Sequence, residues 1–165
     1  MKRYFTLPPR DRSPAIAIPP FHAVPVRLRA DGWTPLRQAE FIGHLAETRS
    51  VAQAARCVSM ARESAYRLRT RAGSEGFVAA WDAALARTGT RRGQEQLLAA
   101  LDAARAALRP SPKVTLRQLE WRVDTGVWKV ILHAGRYAGV RRKPDNSALF
   151  ALLARTRHAD EWATG

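Results

Sequence analysis

The chain of 165 residues carries 28 Lys and Arg against 14 Asp and Glu, a net charge of +14 that calls for a polyanionic partner, nucleic acid before an acidic membrane surface. One domain, or one and a small appendage, fits this length. A single cysteine excludes an intrachain disulfide and a Cys-rich zinc site, and no apolar run approaches the length of a membrane span.

Residues 1–30 hold six of the ten prolines, six basic residues and one acid. Proline at that density opposes helix and central strand, so a basic, disordered or extended arm is expected, either a solvated tail or a segment that follows a DNA backbone. The opening MKRYFTLPPR has no continuous apolar region and does not read as a secretory signal.

Folding is expected to start at Asp31-Gly32-Trp33-Thr34-Pro35, with Thr34 as N-cap and Pro35 as the first helical residue. Phe41, Ile42 and Leu45 then form a buried stripe on a helix that ends near Thr48, with Trp33 packed over its entrance. The stretch Ser50 to Arg71 reads as two short helices joined by a tight turn. Ser50 caps the first, Ala55 lets the pair cross closely, and Val58, Met60, Ala65 and Leu68 hold it together. This spacing resembles the bacterial helix-turn-helix, whose second helix lies in the major groove. In that register Arg62, Glu63, Tyr66, Arg67 and Thr70 share one outward face, opposite Ala65 and Leu68. Ser59 stands where such turns favour Gly, so a non-Gly residue must take a left-handed conformation at a cost of about 1 kcal/mol. An ordinary helical hairpin with solvated arginines is the plain alternative.

Gly73 is expected to stop this helix and Ser74 to cap the next, whose apolar face is Phe77, Trp81, Ala84 and Leu85. Both aromatics are better placed as core than as base-stacking platforms. Thr88 to Gly93, TGTRRG, reads as a basic break. Leu97, Leu101, Ala104 and Leu108 then recur at helical spacing until Arg109-Pro110-Ser111-Pro112 ends the helix. Leu116, Leu119 and Val123 mark a short helix with Gly126 beyond it. Val127 to His133, a turn at Ala134-Gly135, and Arg136 to Arg142 read as a β-hairpin. Asp145 or Asn146 caps a last helix carrying Leu149, Phe150, Leu152 and Leu153.

The fold class expected is mainly α: a trihelical helix-turn-helix domain over residues 31–88, then residues 89–165 with further helices, one β-hairpin and a terminal helix. The runs DGWTPLRQAEFI, GFVAAWDAAL (Gly76 to Leu85) and GRYAGVRRKPDNSALFALL (Gly135 to Leu153) are similar to a family of bacterial helix-turn-helix, homeodomain-like proteins. The trihelical part also resembles the DNA-binding domains of phage small terminase subunits. What the resemblance implies is DNA binding through Arg62, Glu63, Tyr66 and Arg67.

Catalytic chemistry is not indicated. His22, His44, His133 and His158 lack metal-ligand spacing, no carboxylates pair for acid–base work, and Gly73-Ser74-Glu75-Gly76 lacks the lysine and the strand of a phosphate loop. Cys57 reads as an inert packed thiol. No enzyme activity, metal or cofactor is expected. The partner expected is double-stranded DNA, with no membrane, a cytoplasmic, nucleoid-associated location, and homo-oligomerisation left open. Arg62, Glu63, Tyr66 and Arg67 would read base edges, and Arg49, Arg56, Arg69, Thr70 and Arg71 would touch phosphates. Arg141, Arg142 and Lys143 form a second basic cluster at the hairpin. A transcription regulator is the simplest role. The alternatives are a small-terminase-like packaging protein and a structural protein that binds a partner through the helix from Gly93 to Leu108.

Overall fold

The computed structural model describes residues 18–163. The protein is mainly α, with seven helices and a three-stranded antiparallel sheet of order β1-β2-β3 among the described residues. In chain order these are β1 (Phe21–His22), α1 (Pro35–Thr48), α2 (Val51–Cys57), α3 (Arg62–Arg69), α4 (Glu75–Leu85), α5 (Arg91–Leu108), α6 (Leu116–Thr125), β2 (Val127–His133), β3 (Arg136–Lys143) and α7 (Asn146–Ala163).

α1 forms where Thr34 accepts from the Arg37 amide and Pro35 occupies the first turn. Its inward stripe, Phe41, Ile42 and Leu45, is fully buried. Phe41 sits at the centre of an aromatic cluster, with ring centroids 5.4 Å from Trp33, 5.0 Å from Trp81 and 6.1 Å from Phe77. Phe21 of β1 closes the cluster against Phe77 at 6.0 Å. Aromatic packing of this kind adds about 0.5–1.5 kcal/mol per pair beyond the area buried. The cluster joins β1, α1 and α4, while Val130 of β2 enters the same core. All three expected segments, 1–30, 31–88 and 89–165, therefore contribute to one core.

The hairpin forms over the expected segments, with Ala134 and Gly135 both at positive φ (51° and 76°), the backbone a two-residue turn needs. Val130 pairs with Val140, Ile131 with Gly139, and Leu132 then pairs with Tyr137, leaving Ala138 as an extra residue. That bulge restores the inward phase after Val140, so Tyr137 turns towards α1 as well. Its ring lies 4.6 Å from His44 and covers Gly43, where a Cβ would come within 2.3 Å of the ring. Gly43 is thus what lets the sheet approach α1 so closely.

Two expectations change here. Residues 1–17 of the expected arm lie outside the described residues, but residues 18–24 are no tail: Ile18, Phe21, Ala23 and Val24 are buried. The prolines around them suit an edge strand, which needs no amide donors on its outer side. The basic break is also shorter than expected. Thr90 caps α5, so Arg91, Arg92 and Gly93 belong to its first turn. Gly93 packs on the Arg87 carbonyl, where a Cβ would come within 1.7 Å of the oxygen.

Gln38 anchors the buried N-terminal segment. Its side chain is fully enclosed, accepts from the Val24 amide (2.7 Å) and donates to the carbonyls of Val24 and Trp33 (3.1 Å each). Gln38→Leu keeps the bulk but strands three buried backbone groups. A loss of about 3 kcal/mol or more in urea unfolding is expected, at about 1–3 kcal/mol for each of the three unsatisfied groups; a loss below about 1 kcal/mol would deny the anchor its role.

His22 is buried beside Asp145, with Nε2 2.5 Å from Oδ2, while Asp145 Oδ1 accepts from the Ala148 amide and so caps α7. Burial, helped by the Arg122 charge, pulls the His22 pKa down and outweighs the hydrogen bond from Asp145, which acts upwards. The neutral ring then donates Nε2–H to the carboxylate. The unfolded chain takes up a proton near pH 6.5, its ordinary value, while the folded chain resists. Stability is therefore expected to be present above about pH 6.5 and to fall as pH drops below it. Melting temperatures between about pH 7.5 and 5 should show this decline, and His22→Gln should flatten it.

Candidate nucleic-acid interface

The segment from Ser50 to Arg71 folds as two helices about a turn. Ser50 Oγ accepts from the Gln53 amide, and Ala54 and Ala55 of α2 are buried. The Ala55 carbonyl then accepts from the amides of both Val58 and Met60 (3.2 and 2.9 Å), which closes the turn. Ser59 takes φ 58°, the left-handed conformation that its place in the turn demands. Ala61 offers no capping side chain to α3. Instead Ser64 donates to the Ala61 carbonyl at 2.6 Å and accepts from Trp33 Nε1 at 3.1 Å, tying the start of α3 to the entrance of α1.

Ala65 and Leu68 fill the inner side of α3, and Arg62, Glu63, Tyr66 and Arg67 are exposed. Arg62 Nη2 lies 3.3 Å from Glu63 Oε1. Glu63 is held below the usual carboxylate range by a backbone hydrogen bond at the first turn, with the Arg62 and Arg67 charges adding to it. It is therefore ionised at neutral pH and able only to accept. Tyr66 is 48% exposed, its ring centroid 5.5 Å from that of Trp81. Among the described residues the Arg67 side chain makes no hydrogen bond or ion pair. The outward face thus offers two guanidinium forks, one acceptor and one phenol from a single helix.

The flanking cations divide. Arg56 and Arg71 are exposed with no side-chain hydrogen bond among the described residues, and both stand open to a phosphate. Thr70 is exposed but spends its hydroxyl hydrogen on the Arg67 carbonyl. Arg69 is engaged within the protein: it donates to Asp82 at 2.8 Å and lies 5.2 Å above the Trp81 ring. Arg49 is likewise engaged, donating to the Ala86 carbonyl at the end of α4 at 2.9 Å. In the second cluster Arg142 turns back to the Asp124 and Thr125 carbonyls at the end of α6, leaving Arg141 and Lys143 exposed. The hairpin packs on α1, so it is not a wing set beside α3. Sequence position alone could not separate free arginines from engaged ones, because the carbonyls and carboxylate that hold them are supplied by distant segments.

Cys57 is exposed at the end of α2 and not packed. Ser74 stands at the N-cap of α4, but its hydroxyl donates to the Arg69 carbonyl instead of capping. Among the described residues no three His, Cys, Asp or Glu side chains are grouped to hold a metal ion. No described helix is long and apolar enough to cross a membrane.

Arg69→Ala is expected to destabilise the protein by about 1 kcal/mol, the scale of a partly exposed ion pair with a cation–π contact. Arg67→Ala should stay within about 0.5 kcal/mol of the parent, as an exposed side chain does. Equal melting temperatures for the two variants would contradict this division between supporting and free arginines. Comparison of the chain with protein-family models, curated proteins and solved structures gave no match in any of the three, so the reading of this face rests on its own geometry and charge.

Proposed function

We propose that this protein is a sequence-specific double-stranded DNA-binding protein, most simply a transcription regulator, that sets α3 in the major groove. The observation that carries the reading is the outward face of α3. Arg62, Glu63, Tyr66 and Arg67 are exposed together on a helix whose opposite side, Ala65 and Leu68, is locked into the core. An arginine can donate both hydrogen bonds to guanine, and a carboxylate can accept from cytosine. Arg56 and Arg71 are the cations free to hold phosphate at the flanks. Arg49, Arg69 and Arg142 support the frame and are not assigned to DNA.

One observation favours a second reading. Leu149, Phe150 and Leu153 are exposed on one side of α7, Phe150 by 68%, a surface suited to self-association. The same α3 could then serve a multi-subunit packaging assembly of the small-terminase kind. Light scattering separates the two: one or two subunits fit a regulator, eight or more a packaging ring.

The test of the main reading begins with duplexes selected from a random library. Against the selected site Arg67→Ala should lose about 1–3 kcal/mol, while its affinity for random duplex changes far less. Arg71→Ala should weaken both about equally. With the phosphates at Arg56 and Arg71 neutralised, log K against log salt should slope by about −2. Equal losses from Arg67→Ala on both duplexes, or a slope near zero, would refute base reading by α3 or use of its charge on DNA.

A further inference from the structure

A cavity of about 530 Å3 opens between the C-terminal half of α5, the loop after it, α6 and the segment that follows β1. That volume lies within the range of small-molecule sites. Two kinds of surface meet in it. Ala103 and Ala107 of α5 and Trp121 of α6 line it with apolar groups, and Arg109, Lys113 and Arg122 line it with cations. Glu75 is the lining carboxylate, and His22 at the back is engaged with Asp145, so the charge balance is positive.

Arg122 is the informative residue. Its Nη1 is enclosed and has no hydrogen-bond partner among the described residues. Asp145 and Glu75 act on it through charge, but neither comes within 4.0 Å to form an ion pair. Burial pulls its pKa below the ordinary arginine value. An enclosed guanidinium donor left without an acceptor is costly, so the protein leaves the Arg122 charge incompletely balanced, and because Arg122 also lines the cavity an anion there offsets that charge. The Trp121 indole is fixed in place, since its Nε1 donates to the Ala23 carbonyl at 2.8 Å and leaves the ring as a wall.

We propose that this cavity is a binding site for a small organic carboxylate with an apolar body. Arg122 holds the carboxylate with Arg109 and Lys113 beside it, and the body lies against Ala103, Ala107 and Trp121. Gly73 and Glu75, which lead from α3 into α4, form another edge of the cavity, so an occupant would border the exit of the candidate reading helix. The site needs no DNA, and its test stands apart from the reading of α3.

The probe is 1-naphthoate, titrated calorimetrically into the DNA-free full chain beside neutral 1-naphthamide and inorganic phosphate. Saturable one-site binding of 1-naphthoate is expected, with 1-naphthamide weaker by about tenfold or more, as loss of a charge-assisted pair implies. Inorganic phosphate should bind more weakly than 1-naphthoate, because it cannot use the apolar walls. Arg122→Gln should weaken 1-naphthoate by about tenfold and leave 1-naphthamide within about twofold. Should Arg122→Gln fail to fold, Lys113→Glu and Arg109→Glu, both at exposed positions, must each weaken 1-naphthoate by about threefold or more, while Arg136→Ala at the hairpin turn leaves it unchanged. No saturable binding of 1-naphthoate would overturn the assignment. So would binding indifferent to the cavity variants, or phosphate binding as tightly as 1-naphthoate.

Discussion

The fold depends on one buried amide. Gln38 gives the Val24 backbone what a neighbouring strand would give it, an acceptor for its N–H and a donor for its carbonyl, and reaches Trp33 with its other amide hydrogen. The segment around Val24 runs into the core beyond β1, where no strand continues the ladder. Its polar groups would otherwise be buried without partners, a cost of about 1–3 kcal/mol for each. With Val24 held, Phe21 can enter the aromatic cluster and β1 can pair with β2 at Phe21–Trp128. The sheet then has a fixed place against α1. One side chain on α1 thus determines where the first strand lies, and through it where the hairpin docks.

The same helix sets the frame for α3, through tryptophans. Trp33 caps the aromatic cluster from above and donates to Ser64 near the start of α3. Trp81 of α4 touches Phe41 on one side and supports Tyr66 and Arg69 on the other. The two ends of α3 are therefore fastened to elements that pack on α1, and Ala65 and Leu68 fasten its middle. A helix of only eight residues is marginal by itself. Its orientation is a property of this tertiary frame, which is what a groove-reading helix requires of its scaffold.

Much of this was legible in the sequence. The Thr34-Pro35 start, the Phe41-Ile42-Leu45 stripe, the strained turn at Ser59, the core roles of Phe77 and Trp81, and the hairpin about Ala134-Gly135 all follow from local chemistry and periodicity, and the structure has each of them. What was not legible depends on distant partners. Proline density suggested an arm without structure, yet the apolar residues among the prolines, Ile18, Phe21 and Val24, were the signal of burial, and their partners Gln38 and Trp128 belong to other elements of the fold. The bulge at Ala138 that turns Tyr137 inward cannot be read from alternation, because it breaks alternation. His22 looked isolated because its partner, Asp145, lies 123 residues further along the chain.

The arginines carry the widest gap between sequence and structure, and the gap has a physical consequence. Arg37, Arg49, Arg142 and Arg155 each donate to backbone carbonyls, most of them at turns or helix ends where carbonyls lack helical partners. A guanidinium on a neutral carbonyl keeps its charge but surrenders part of its donor fork. Arg69 differs, since Asp82 cancels its charge as well. The far field of a chain with net charge +14 is therefore nearly undiminished, while fewer cations remain to make close contact. Attraction to a polyanion at long range follows the total charge, but counterion release follows the number of phosphates neutralised in contact. For this protein the first is large and the second modest. On the proposed reading, the sequence-independent attraction brings DNA near more effectively than it holds it, leaving discrimination to the outward residues of α3.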